Sequence, residues 1–207
     1  MSFAPVTVFV PKDAAALSVG ADDVGAALLN EAQKHNFEIN LVRNGSRGLL
    51  WLEPLVEVDT PNGRMAYGPV TPEDVSGLFE ADFLSGGAHA LSHGKTDDIP
   101  YLANQERVTF ARCGLIDPLD LKAYEAHGGL VGLRKALSLG PEEIVVAVKS
   151  SGLRGRGGAG FPTGIKWETA RTASADQKYI CCNADEGDSG TFADRMLMEG
   201  DPFLLLE

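Results

Sequence analysis

The seventeen residues 151–167, SGLRGRGGAGFPTGIKW, carry six glycines, two arginines and a lysine, and a proline interrupts them. Glycine loses more conformational freedom on folding than any other residue, so this density implies main chain that must pass close to something. Gly155, Gly157 and Gly160 satisfy G-x-G-x-x-G, the spacing of a dinucleotide-binding turn. That motif needs a strand before it and a helix directly after it. Neither is expected here. The preceding PEEIVVAVKSSG opens with proline and two glutamates and ends in glycine, which are helix start and stop signals. Pro162 and Gly164 delay the next helix, expected from Thr163 as cap through KWETARTA. What remains is a glycine loop feeding a helix start, an anion cradle to which Arg154, Arg156 and Lys166 can lend charge. The plain alternative is a flexible connection between two helices.

A second stretch, YICCNADEGDSG at 179–190, ends an apolar run in asparagine and then an acidic turn holding Asp185, Glu186 and Asp188. Carboxylates this close repel one another unless something hydrogen-bonded or charged eases them. A hard metal is one candidate, although the order does not follow a calcium loop. A flavin's ring amides and ribityl hydroxyls are another, and a solvated strand-to-helix turn is the third. Cys181 and Cys182 sit side by side on the expected strand, where neighbours point to opposite faces, so they read as buried structural thiols rather than a pair. With Cys113 they are the three cysteines of the chain, and no C-x-x-C occurs. No disulfide framework and no metal site is expected, and a reducing, cytoplasmic compartment fits.

Upstream, strands are expected at Val6–Val10 and Glu38–Val42, with a helix at Asp22–Lys34 between them. Two further apolar runs, LLWLEPLVEV and RMAYGPV, flank the hairpin signal Thr60-Pro61-Asn62-Gly63. Thr71-Pro72-Glu73-Asp74 then opens a helix through Phe79. This order suits a small α/β layer. Residues 86–100, rich in Gly, Ser, His and Asp, lack periodicity and read as a linker. His89 and His93 are four apart, but the glycines around them weaken a helix and no third ligand is evident. Two short helices broken at Gly128-Gly129 follow within 118–139, and Pro141 opens another. The net charge of −11 argues against nucleic acid, whose phosphates need a basic face. No stretch approaches a membrane span of about 20 apolar residues, and the N-terminus lacks the pattern of a secretory signal.

Together, SGLRGRGGAGFPTGIKW and CNADEGDSGTFADRMLMEGDP resemble the flavin-carrying, NADH-oxidising subunit of respiratory complex I and its relatives in NAD-linked hydrogenases and formate dehydrogenases. KAYEAHGGLVGLRKAL extends the likeness upstream. Within that family, DEGDSGTFADRM and the attached α/β segment are most similar to the beta subunit of a soluble, molybdenum-containing, NAD-dependent formate dehydrogenase. The resemblance implies an α/β chain: a thioredoxin-like domain at 1–85, the linker at 86–100, and the N-terminal part of an FMN- and NAD-binding domain at 101–207. Residues 1–85 contain no cysteine, so this thioredoxin-like copy is expected to hold no [2Fe–2S] cluster and to serve as a docking surface.

The family's site residues carry over by motif. Gly155, Arg156, Gly157 and Gly158 would pack against FMN and the dinucleotide, Phe161 would stack with NAD(H), and Lys166 would reach both cofactors. Asn183, Asp185 and Glu186 would hold the flavin, and Asp188, where relatives carry glutamate, would lie toward the nicotinamide. Thr169 stands where some relatives place a second nucleotide-facing aromatic. The implied reaction passes a hydride between nicotinamide and FMN, so no side chain is expected to be catalytic. Implied partners are a [2Fe–2S] thioredoxin-like gamma subunit and a molybdenum-containing alpha subunit. Family members continue past the point matching Glu207 into a domain holding [4Fe–4S], so the chain is expected to be an N-terminal fragment.

Overall fold

The computed structural model describes residues 5–207. Strand β1 (Val6–Phe9) is followed by two helices, α1 (Ala14–Ser18) and α2 (Ala21–Lys34), and then by β2 (Ile39–Val42). Asp13 caps α1 by accepting hydrogen bonds from the Ala15 and Ala16 amides, and Asp22 and Asp23 occupy the first turn of α2, where carboxylates suit the helix dipole. β1 and β2 pair in parallel, Val6 opposite Ile39. The chain then builds an antiparallel hairpin, β3 (Val56–Thr60) and β4 (Gly63–Tyr67), turning at Pro61-Asn62, with β3 antiparallel to β1. Thr71 and Asp74 form a reciprocal capping box ahead of α3 (Val75–Glu80). The order β2-β1-β3-β4, a parallel β-α-β unit joined to a hairpin and closed by a helix, is thioredoxin-like, and the chain is α/β.

Residue alternation explains how the sheet buries both faces. Val8, Val10, Val56, Val58 and Tyr67 pack with Val24, Leu28 and Leu78 of α2 and α3 in one core. Ala66 and Leu55 turn the other way, onto Leu49, Leu52, Ile99 and Leu102. Glu57 lies between Val56 and Val58 in β3, so it faces away from the first core, and it is fully enclosed. Its charge is met by Arg47, whose guanidinium reaches both oxygens at 2.9 and 3.3 Å.

Three expectations are corrected. Residues 86–100 do not lack regular structure: β5 (Ser92–Lys95) adds a fifth strand beside β4, Thr96 is fully buried, and Ile99 joins the second core. His93 Nε2 lies 2.8 Å from the Gly68 carbonyl and His89 Nδ1 accepts from the Leu91 amide, so both rings brace this edge. The run LLWLEPLVEV is strand only from Val56: Leu50–Leu52 form a 3-10 turn, Pro54 cannot donate to a ladder, and the Glu53 carboxyl group takes the Leu55 amide instead. YICC is not a strand with buried thiols. Tyr179 and Ile180 are 87% and 100% exposed, and Cys181 and Cys182 are exposed, because no strand among the described residues pairs with them.

The chain divides into two compact units, Met1–His127 with Asp185–Leu206, and Gly128–Ala184 with Glu207. After β5 the first unit continues through α4 (Pro100–Ala103) and α5 (Leu121–Ala126). It regains the chain at α9 (Ala193–Gly200) and α10 (Pro202–Leu206). Its parts meet closely: a Cβ on Gly45 would lie 2.8 Å from the Gly200 Cα, Arg112 holds Asp201 at 2.9 Å, and Arg64 donates to the Gly114 and Leu115 carbonyls. The second unit holds α6 (Val131–Leu137), α7 (Pro141–Ser150) and α8 (Thr163–Thr172). No helix among the described residues is long and apolar enough to cross a membrane.

Candidate functional site

The glycine loop joins α7 to α8, and two backbone hydrogen bonds close its base: Gly155 N to Phe161 O and Thr163 N to Leu153 O, each 2.9 Å. Arg154 and Pro162 face each other there as an antiparallel bridge. Residues 156–159 are thereby set out as an exposed loop on a fixed stem, with Gly160 partly covered. The loop leads into the start of α8, whose first amide, Thr163 N, is taken by that stem bond, while the next amides lack intrahelical partners.

The glycines of this stretch do different jobs. Gly152, Gly158 and Gly160 have φ of +69°, +97° and +60°, a left-handed backbone that side chains disfavour. Gly164 is needed for packing: a Cβ there would come within 2.4 Å of Lys149 Cγ and 2.7 Å of the Lys149 backbone, so α7 and α8 approach only because it is bare. Gly155 and Gly157 are needed for neither. Their φ values lie outside the left-handed region, a Cβ on Gly155 would make only an ordinary contact with the Phe161 carbonyl at 3.6 Å, and one on Gly157 would meet nothing within 4 Å. Their bareness answers no demand of the described chain, which fits a ligand lying against the main chain. Phe161 is half-exposed beside the loop, and Lys166 Nζ sits 5.8 Å from its ring centroid, a cation–π arrangement. Arg156 is exposed at the loop tip. Thr169 Oγ1 bonds back to the Ile165 carbonyl, so this position offers no ring.

Gly155, Arg156, Gly157, Gly158, Phe161, Lys166 and Asn183 lie in one compact unit, and Asp185, Glu186 and Asp188 in the other. Glu186 has a structural task that its sequence context did not announce. Its backbone is left-handed (φ +54°), which turns the carboxylate onto the start of α9. Oε1 accepts from Asp194 N at 3.2 Å and Thr191 Oγ1 at 3.3 Å, and Oε2 accepts from Arg195 N at 3.3 Å. Glu186 therefore satisfies amides of α9 from seven residues before the helix starts, outside the usual capping spacing. A carboxylate has about four acceptor positions, so capacity for a further donor remains. The Asp188 carbonyl accepts from Thr191 Oγ1 at 2.9 Å, which tightens the same turn. Asn183 and Asp185 are exposed.

The class defined by these features is an α/β chain with a thioredoxin-like sheet and, in a separate unit, a stemmed glycine loop at a helix start that fits an anionic ligand. Residues 148–207 match the family model described as the Nuo51 FMN-binding domain. The chain is 55% identical over 103 residues to the NADP-reducing hydrogenase subunit HndC of Solidesulfovibrio fructosivorans, covering 50% of this chain and 21% of that protein. It is 60% identical over 88 residues to a component of the NADH-quinone oxidoreductase of Rhizobium meliloti, covering 42% and 21%. It is 53% identical over 70 residues to the alpha component of the NAD-reducing hydrogenase HoxS of Cupriavidus necator, covering 34% and 12%. The chain thus spans about a fifth or less of the length of these curated relatives. Among solved structures, a thioredoxin-like [2Fe-2S] ferredoxin of Aquifex aeolicus aligns at 24% identity and a TM-score of 0.38, over 45% of this chain and 100% of that one. An NAD+-reducing [NiFe]-hydrogenase in the air-oxidized state aligns at 22% and 0.36, over 96% of this chain and 33% of that one. The thioredoxin-like assignment rests on strand order, not on these alignments.

Proposed function

We propose that this chain is part of a diaphorase-type oxidoreductase subunit that binds FMN and NAD(H) and exchanges electrons with iron–sulfur centres of a multi-subunit complex. The observation that carries this is the unspent bareness of Gly155 and Gly157 on a closed stem, within residues that match an FMN-binding domain. When bound, FMN supplies the redox chemistry, coupling hydride exchange with nicotinamide to single-electron transfer. The protein's share is placement. Gly155, Gly157 and Gly158 give the flavin and dinucleotide bare main chain to lie against, with Arg156 beside them. Phe161 stacks the nucleotide. Lys166 balances negative charge on phosphate or reduced flavin. Asn183, Asp185 and Glu186 hold the flavin, with Asp188 toward the nicotinamide. No side chain in this set is asked to move a proton. Residues 101–207, the proposed N-terminal part of the FMN/NAD-binding domain, contribute to both compact units.

The finer reading is the beta subunit of a soluble, cytoplasmic, NAD-dependent formate dehydrogenase, with a molybdenum-containing alpha subunit and a [2Fe–2S] gamma subunit as partners and [4Fe–4S] held beyond these residues. Its support is the wording DEGDSGTFADRM beside a cysteine-free thioredoxin-like domain. The likeness to the HndC and HoxS proteins and to the NADH-quinone oxidoreductase component favours the diaphorase of a hydrogenase or of complex I as the second reading. A non-catalytic scaffold is the third.

Purified from its host, the polypeptide carrying this sequence should show flavin absorbance and NADH-dependent dye reduction. Gly157→Ala should cost at least tenfold in both FMN affinity and dye reduction while leaving the melting temperature unchanged, since a Cβ there meets nothing within 4 Å in the protein. A protein that stays colourless and inactive with FMN supplied is a scaffold. Metal analysis of the co-purifying subunits decides between molybdenum and nickel.

A further inference from the structure

A cavity of ≈ 670 Å³ opens in the first compact unit, walled by Trp51, Tyr101, Phe110 and Phe192 and by two guanidinium groups, Arg47 and Arg107. The volume is within the range of small-ligand pockets, about 300–1,000 Å³. Trp51 and Tyr101 meet edge to face at 5.0 Å and remain 58% and 45% exposed, so much of their ring surface is uncovered. The two cations are unequally matched. Arg47 is committed to Glu57, with exposed Asp97 at 3.5 Å. Arg107 forms no ion pair or hydrogen bond among the described residues, and its Nε is enclosed without a partner. Burial, and next the nearby Arg47 charge, hold its guanidinium below the ordinary range, against smaller opposing effects of Cys113, Tyr101 and Asp97. Glu106 also lines the cavity, but it is exposed and lies beyond ion-pair distance of Arg107.

An unpaired, half-buried guanidinium is costly, and it occurs here in a chain of net charge −11. A guanidinium on the cavity wall fits a phosphate, which it binds through parallel N–H groups. The aromatic walls fit a planar ring. We propose that this cavity binds a small aromatic phosphate, a planar ring joined to a phosphate directly or through a sugar as in a nucleoside monophosphate, with Arg107 holding the phosphate and Trp51 and Tyr101 against the ring. This site is formed by residues other than those of the glycine loop and does not rest on the flavin reading.

Trp51 and Trp167 are the two tryptophans, and they lie in different compact units, so each can report alone. The test uses the full chain carrying Trp167→Phe, titrated with AMP, adenosine and inorganic phosphate while Trp51 emission is followed. AMP should quench saturably at sub-millimolar concentration, and adenosine and phosphate should each bind at least tenfold more weakly. Arg107→Gln in that background should weaken AMP at least tenfold, the usual scale of a lost hydrogen bond to a charged group. Comparing AMP with adenosine needs no change at Arg107, so a folding defect of that variant does not remove the test. No saturable quench, adenosine as tight as AMP, or phosphate as tight as AMP overturns the proposal. A Trp167 signal in the Trp51→Phe protein, with Trp51 silent, assigns AMP to the other unit and overturns it too.

Discussion

At the scale of single residues, what matters is which atoms a side chain would displace or leave unpaired. Gly164→Ala places a Cβ against the Lys149 backbone at 2.7 Å, so α7 and α8 must separate. Overpacking of this kind costs about 1–3 kcal/mol. The helix pair should therefore melt several degrees lower in Gly164→Ala by circular dichroism, whereas Gly157 substitutions should leave the melt unmoved. The exposed Lys149–Glu168 ion pair across the same helices, 2.9 Å long, does not substitute for that contact, since exposed pairs contribute little. Glu53 gives a second residue-scale prediction. It is 6% exposed, accepts from Ser46 Oγ at 2.7 Å and Leu55 N at 3.0 Å, and burial, with Asp13 and Glu57 adding to it, raises its pKa to about 7. The folded protein thus holds Glu53 protonated where the unfolded chain has released the proton. Its contribution is complete below the unfolded value near 4.5 and is lost as pH rises through about 7. The full swing is about 3 kcal/mol. Urea unfolding between pH 5 and 8 should show wild-type stability falling relative to Glu53→Gln, and parallel profiles would mean that the carboxyl is ionised in the fold.

At the scale of elements, α9 shows how a binding reading and a structural reading of one residue can be separated. Glu186 satisfies two of its first amides, so Glu186→Ala should destabilise the N-terminal turn by about 1 kcal/mol. Hydrogen exchange at Asp194 and Arg195 should quicken in the protein without FMN, and unchanged exchange there would leave Glu186 with the ligand role alone. This cap was not legible in the sequence, because no spacing rule links a carboxylate to a helix seven residues ahead and φ at Glu186 is set by the turn. β1, α2, β2, the β3–β4 hairpin and α3 were legible, since alternation, the Thr60–Gly63 turn and the Thr71–Asp74 box all state local preferences that the packing keeps, whereas α1 and the 3-10 turn at Leu50–Leu52 were not. β5 was not, because Ser-His-Gly-Lys has no alternation and becomes a strand by pairing with the edge of β4. YICC failed in the opposite sense. It has the composition of a strand, but no strand among the described residues pairs with it, and local preference alone does not hold an isolated strand.

At the scale of the whole molecule, apolar burial is uneven. The thioredoxin-like sheet carries two cores, whereas in the Gly128–Ala184 unit Val145 is the buried apolar side chain among the described residues. The loop motif was legible in sequence, but the division of labour among its glycines, which carries the functional proposal, needed φ values and neighbours from the fold. A helix pair with so small a core opens at low free energy, while core strands open only near the global limit. Amides of α7 and α8 should therefore exchange far faster than those of β1 and β3 in the protein without cofactor. A ligand that binds only the closed form adds stability of about 2.7 kcal/mol at a hundredfold excess over its Kd. FMN with NADH should slow exchange in residues 152–166 by a comparable factor, roughly a hundredfold, and leave β1 and β3 unchanged. Slowing confined to the sheet, or spread evenly over the chain, would place the cofactor somewhere other than the glycine loop.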